Sequence, residues 1–245
     1  MIRGDDVADL QRHLNQVGFD CGRPDGIFGP AATRALLDFQ RNSGLVADGI
    51  CGRETVRTLR LVSEKSGSGP GVASIREAEA ARPSGPVGGL RLVVGQFGGL
   101  SSIARSVARA LREAGAVVMS TDEYEAPAQA AAANRFGADA YIGFEARADR
   151  CSIVSYFAVP SFESIGGRAL ATRVVDEFGP VLDCRPELSG MRLPVLRETR
   201  MPAVLCSVGP VRSVVDRTNL VSTAVVRAVT GWSEAPLVGA ELTGE

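Results

Sequence analysis

The sequence predicts an α/β protein in two parts. A small three-helix domain over residues 1–62 precedes a mostly parallel sheet with helices on both faces over residues 90–232. Three observations predict it. The first sixty residues carry apolar stripes at helical spacing around two near-copies of one turn. Residues 63–89 are too rich in Gly, Ser and Pro to pack. Beyond them, short apolar runs alternate with amphipathic stretches, the pattern of strands and crossover helices.

In the first part, Val7, Leu10, Leu14 and Val17 fall on one helical face, which Asp5 or Asp6 can cap. Ala35, Leu36 and Phe39 mark a second helix, and Val56 and Leu59 a third. The turns between them read PDGIFGPAAT from Pro24 and ADGICGRET from Ala47. In each copy an aspartate (Asp25, Asp48) can bond its own turn and a glycine (Gly26, Gly49) accepts positive φ. Ile27 and Ile50 are expected in the core, with Gly29 and Gly52 permitting close entry to the next helix.

The linker holds one short helical pattern at 74–81. Strands are then expected at 90–94, 116–119, 140–144, 153–159 and 203–208. Helices are expected from about Leu100 through Leu111, and at 126–136, 165–178 and 218–229, before a loose tail at 233–245. The first strand, glycine turn and helix would also pass for the phosphate-binding turn of a dinucleotide fold. A lone turn of this kind is weak. A short-chain dehydrogenase would further need a Tyr-x-x-x-Lys pair, and Lys65 is the only lysine in the chain.

Composition narrows the function classes. Of the 245 residues 45% are hydrophobic and 22% charged, ordinary for a protein with real cores, and the formal net charge of −1 offers no footprint for nucleic acid. No apolar run is long enough to span a bilayer. The N-terminus lacks the pattern of a signal peptide, so a cytoplasmic protein is expected. Five scattered cysteines without metal-knuckle or redox spacing read as buried free thiols in a reducing compartment.

Two resemblances sharpen this reading. Val7, Leu10, Gln11 and Leu14, then Asp25, Gly26, Phe28, Gly29 and Thr33, then Phe39 and Gln40, and a closing Asp48, Gly49 and Gly52 follow the peptidoglycan-binding-domain-1 pattern. Thr33 stands one residue later than usual. Most of these positions maintain the fold in that family, so a glycan or stem-peptide ligand and a mere docking surface both remain open, with Asp25, Phe28 and Asp48 as candidate ligand-binding residues. In the larger part, Ala133-Asn134 and Ala138-Asp139 stand at the spacing of A-N-x-x-x-A-D, and Pro202-Ala203-Val204-Leu205 at that of P-A-V-L. Both resemble the amidase-3 family of zinc-dependent N-acetylmuramoyl-L-alanine amidases. ADGICGRETVRTL, SIREAE before Ser84-Gly85-Pro86, LDCR from Leu182 and TRMPAV from Thr199 are similar to an actinobacterial branch of it.

That family holds zinc with His, Glu and His, and a further Glu activates the bound water. By position, the resemblance places Gln96 nearest the first ligands in a shortened loop after the first strand. It places Glu145 at the second histidine and Ser207 at the catalytic glutamate. His13 is the only histidine, on a helix of the other domain and expected at its surface. Cys206 lacks a histidine base and is expected to be an inert thiol on a strand. No metal and no cofactor are therefore expected. The resemblance implies an inactive amidase homologue that regulates peptidoglycan precursor synthesis through a protein partner, with the UDP-N-acetylglucosamine enolpyruvyl transferase as candidate. It also implies a serine/threonine kinase acting on the C-terminal tail, where Thr243 is the candidate phosphosite. The alternatives are a module that binds muropeptides or peptidoglycan, and a residual amidase.

Overall fold

The computed structural model describes residues 2–65, 86–159 and 162–236. The chain divides into two compact units, each with its own core. The expected helix at 74–81 lies outside the described residues.

The first unit runs β1 (Ile2–Arg3), α1 (Asp5–Gln16), β2 (Ile27–Phe28), α2 (Pro30–Asn42) and α3 (Arg53–Lys65). The three expected helices are present, and α3 extends beyond the boundary placed at residue 62. β1 and β2 form an antiparallel pair, Ile2 opposite Phe28, too short to show alternation in sequence. Helix α1 starts after Gly4, so Asp5 and Asp6 occupy its first turn instead of capping it. Their charge still suits the positive end of the helix dipole. Leu14, Leu36, Phe39 and Leu59 close the core, with Phe19 edge-on to Phe39 at 5.5 Å.

A buried glutamine clamps each repeated turn. Gln11 donates to Asp25 Oδ1 at 3.0 Å and to the Ile27 carbonyl at 3.2 Å, and accepts from the Gly26 amide at 2.8 Å. Gln40 makes the same three contacts with Asp48, Ile50 and Gly49 at 3.0, 3.0 and 2.9 Å. Gly26 and Gly49 adopt φ of 68° and 71°, where a side chain would be strained. The echo is incomplete. Ile27 is buried, but Ile50 is 66% exposed, because β1 pairs with only the first copy. Nor do Gly29 and Gly52 serve a close approach, since nothing lies within 4 Å of a Cβ built on either.

The second unit is a seven-stranded sheet of order β4-β3-β5-β9-β6-β7, with β8 also paired to β6. Its elements are β3 (Arg91–Phe97), α4 (Ser101–Glu113), β4 (Val117–Thr121), α5 (Ala126–Phe136), β5 (Ala140–Ala146), β6 (Ile153–Val159), β7 (Phe162–Glu163), α6 (Ile165–Phe178), β8 (Glu187–Met191), α7 (Pro194–Glu198), β9 (Ala203–Val208), α8 (Val211–Asp216) and α9 (Thr218–Glu234). β4, β3, β5 and β9 are parallel, and β6 runs antiparallel to β9. Helices cover both faces: α4, α6 and α9 on one, α5 and α7 on the other. Leu92, Val94, Ile142, Phe144, Val204 and Cys206 meet the three-helix face. Val87, in the segment read as linker, packs into this same core.

Four short elements of this unit escaped the sequence reading, among them the two-residue β7. β8 is a polar ELSGM stretch without alternation, and α7 and α8 are too brief for a helical stripe. β3 runs three residues past the expected end at Val94, because β5 pairs with it as far as Phe97 opposite Glu145.

Candidate functional site

Parallel register sorts the candidate positions. Phe97, Glu145 and Ser207 are direct partners across β3, β5 and β9, whereas Gln96 partners Phe144, which partners Cys206. Side chains alternate between faces along a strand, so partners share a face and the two rows point to opposite sides of the sheet. The structure thus brings Glu145 and Ser207 together and leaves Gln96 on the other face. Phe97, passed over in the sequence, completes their row. Strand alternation could have found it had the end of β3 been known.

The Ser207 hydroxyl donates to Glu145 Oε1, so this carboxylate has a partner already. Ser207 is 6% exposed and Glu145 half-buried. Gln96 is 8% exposed, and its side-chain oxygen is buried without a hydrogen-bond partner. Beneath the Phe97 row, Gly95 and Gly143 lie side by side, and a Cβ on either would run into the Tyr141 side chain. The Tyr141 hydroxyl donates to Gln129 Oε1 at 2.7 Å, and Gln129 Nε2 donates to the carbonyls of Gln96 at 3.0 Å and Glu123 at 2.7 Å. Burial raises the Tyr141 pKa, keeping it a neutral phenol. This network fixes the end of β3 to the loop before α5.

Asn134 ties α5 to the segment before β9, donating to the Glu198 carbonyl at 2.8 Å and accepting from the Arg200 amide at 2.9 Å. Its place in the sequence motif is thereby structural. Burial pushes the Cys206 thiol up to about 12, with the neighbouring Glu145 charge adding to the rise. A thiol so raised is a poor nucleophile. Cys21 is likewise pushed up to about 12, mainly by burial, and Cys51 is raised for the same reason.

The expectation of five free thiols needs correction. Cys151 and Cys184 form a disulfide with Cα atoms 5.4 Å apart, while Cys21, Cys51 and Cys206 are free. The reason is the unforeseen β8: its parallel register with β6, Ile153 opposite Glu187, brings together the residues just before each strand.

In the first unit, Asp25 and Asp48 spend their Oδ1 atoms on their own turns, accepting from the Ile27 and Ile50 amides at 2.9 and 2.8 Å. The Ile50 amide and Gln40 hold the Asp48 carboxyl below its ordinary pKa. Phe28 faces space instead. It lines a cavity of about 510 Å³ with Ile2, Leu10, His13, Ile50 and Leu59, and a shallower groove with Pro30, Arg34 and Leu37. His13, expected at the surface, is half-buried, its Nδ1 2.7 Å from the Asp9 carbonyl oxygen. Among the described residues no group of three His, Cys, Asp or Glu side chains is placed to hold a metal ion. No described helix is long and apolar enough to cross a membrane. Thr243 lies outside the described residues.

Residues 3–59 match the family described as "Putative peptidoglycan binding domain". That match falls within the N-terminal unit. Across 264 aligned residues the chain is 36% identical to the N-acetylmuramoyl-L-alanine amidase CwlM of Mycobacterium tuberculosis, covering 93% of this chain and 64% of CwlM. The chain thus resembles CwlM along nearly all of its own length while spanning less than two thirds of that relative. The spore cortex-lytic enzyme of Bacillus cereus is 43% identical over 56 residues, 23% of this chain and 22% of that protein. Among solved structures, the amidase AmiC2 of Nostoc punctiforme superposes with a TM-score of 0.49 at 21% identity, over 60% of this chain and 99% of that one. The N-acetylmuramoyl-L-alanine amidase of Clostridium difficile 630 gives 0.49 at 16% identity, over 60% and 98%.

Proposed function

We propose that this chain is a catalytically silent relative of the N-acetylmuramoyl-L-alanine amidases that acts by binding, as a regulator of peptidoglycan precursor synthesis. The observation that carries the reading is the row Phe97, Glu145 and Ser207 across β3, β5 and β9. A zinc amidase needs three well-placed protein ligands and a base for the metal-bound water. The row offers a phenyl ring, a carboxylate already engaged by a hydroxyl, and that hydroxyl. The chain's single imidazole, His13, belongs to the first unit. These residues do not fit a zinc ion, because one carboxylate cannot offset the cost of dehydrating the metal. Elemental analysis after metal-replete purification is expected to find far less than one zinc per chain, with no cleavage of the lactyl–alanine amide in muropeptides. Stoichiometric zinc, or cleavage, overturns the reading.

The likeness to CwlM and the peptidoglycan-type module support a role beside the cytoplasmic precursor enzymes. The UDP-N-acetylglucosamine enolpyruvyl transferase is the proposed partner, and a serine/threonine kinase acting at Thr243 is the proposed control. Phosphate there adds about −1.5 to −2 charge and acceptors for arginine. Capture of the transferase by immobilised phosphorylated chain, and not by a Thr243→Ala variant, is the expected result. Failure in both states rejects the partner.

A second reading rests on the cavity beside Phe28. Its apolar lining, with Asp6, Asp9 and Arg60 at its border, suits a muropeptide carrying both a sugar and a charged stem peptide. Calorimetry with a muropeptide and with a precursor nucleotide separates the readings, since regulation through protein partners requires affinity for neither.

A further inference from the structure

The disulfide lies where two loops meet beside the Phe97 row. Cys151 is exposed in the turn between β5 and β6, and Cys184 is half-buried in the loop before β8. Each loop is bonded to the segment that follows β9. On the Cys151 side, the Arg147 amide donates to the Val208 carbonyl at 2.8 Å, and the Gly209 amide to Ser152 Oγ at 3.2 Å. The carbonyls of Arg147 and Asp149 occupy the space where Gly209 would carry a Cβ, so this turn wraps the chain directly after Ser207. On the Cys184 side, Asp183 accepts from Ser213 Oγ at 2.7 Å and pairs with Arg217 at 2.6 Å. The bond between the cysteines therefore fastens together the two loops that frame the end of β9.

The arginines next to the two cysteines in sequence are matched by carboxylates: Arg185 pairs with Asp176 at 2.7 Å, and Arg150 acts on Asp183. With Cys151 exposed, the bond is open to attack by a small thiol, as labile and regulatory disulfides are. Of the five cysteines only Cys151 is exposed; Cys21 and Cys206 are buried, and Cys51 is half-buried.

We propose that Cys151–Cys184 is a reversible thiol–disulfide switch on the rim of the Glu145–Ser207 row, exchanging with a low-molecular-weight thiol of the glutathione class. In the oxidising direction the exposed Cys151 thiolate attacks glutathione disulfide, forming a mixed disulfide and expelling one glutathione thiolate. Cys184, as thiolate, then attacks the Cys151 sulfur and expels the second. Two cysteine thiols are oxidised, one glutathione disulfide is reduced to two glutathione thiols, and the two cysteine protons end on the expelled thiolates. The reverse consumes two glutathiones. Reduction frees the two loops from each other and loosens the chain after β9.

Purified full-length protein, equilibrated with reduced and oxidised glutathione over a ladder of ratios, is acid-quenched and alkylated, and its thiols are mapped by mass spectrometry. The pair is expected to pass from fully bridged to fully alkylated within the ladder. Amide hydrogen exchange at 147–152 and 209–217 is expected to rise by about tenfold or more on reduction, reporting local opening. Cys151→Ser should show the reduced pattern at any ratio, with Trp232 fluorescence confirming an intact fold. A bridge that survives excess reduced glutathione, thiols that persist in excess oxidised glutathione, or equal exchange in both states would each overturn the proposal.

Discussion

Gln11 and Gln40 each spend three hydrogen bonds on a repeated turn, and both are almost wholly buried. Gln11→Ala strands the Gly26 amide and the Ile27 carbonyl in a dry site. Each buried unsatisfied group costs about 1–3 kcal/mol, so the first unit is expected to lose roughly 2–3 kcal/mol in urea titrations followed by circular dichroism. Asp48 supplies a pH dependence. Its folded-state pKa is depressed by the Ile50 amide and Gln40, below an unfolded value near ~3.9. Its stabilisation is therefore complete above that value and fades as pH falls through the lower folded-state pKa. Melting of the first unit should soften below about pH 4, and Asp48→Asn, which keeps the acceptor oxygen, should remove that slope. A slope unchanged in the variant would assign it to other carboxylates. At Cys206 and Cys21 the raised pKa values forecast resistance to iodoacetamide at pH 8 in the native protein, with both alkylated once urea unfolds it.

Among the elements, β3 and β5 meet at a deliberate thinning of side chains. Gly95 and Gly143 face each other across the pair so that Tyr141 can lie along the sheet and reach Gln129. Gly143→Ala puts a methyl within 2.9 Å of Leu205 and the Tyr141 ring, an overpacking that costs about 1–3 kcal/mol. Gly95→Ala should cost at least as much, and combining it with Tyr141→Phe should recover part of the loss. Failure of that recovery in denaturant titrations would mean the crowding lies elsewhere. This region also shows why the site was only partly legible. Glu145 and Ser207 could be found by counting from sequence motifs, because each follows a recognisable strand start. Counting from the first strand chose Gln96 over Phe97, since glycine-rich sequence does not reveal where pairing stops. Only the register of β5 on β3 settles which side chain shares a face with Glu145.

For the molecule as a whole, the two cores share no residue, and Trp232, the only tryptophan, is buried in the second. Its fluorescence should therefore follow the sheet unit alone, while far-ultraviolet circular dichroism follows both. A domain of about sixty residues buries too little surface to be strongly stable. The circular dichroism change is expected to begin at lower urea than the fluorescence change, and Gln11→Ala should shift the early phase alone. Coincident curves that shift together would show that the units unfold as one.

Local periodicity and turn chemistry, carried by neighbours in the chain, were enough to read three helices, a doubled aspartate–glycine turn and a sheet with covered faces. Scarcity could be read as well, since one histidine in 245 residues limits metal chemistry without any coordinates. Pairings between distant segments could not. The Cys151–Cys184 bond spans 33 residues and exists because β6 and β8 lie side by side in one register. The separation of Gln96 from the Phe97, Glu145 and Ser207 row likewise follows from a period of two that flips faces with each residue. Such relations depend on which strand ends meet, and that is decided only when the whole sheet assembles.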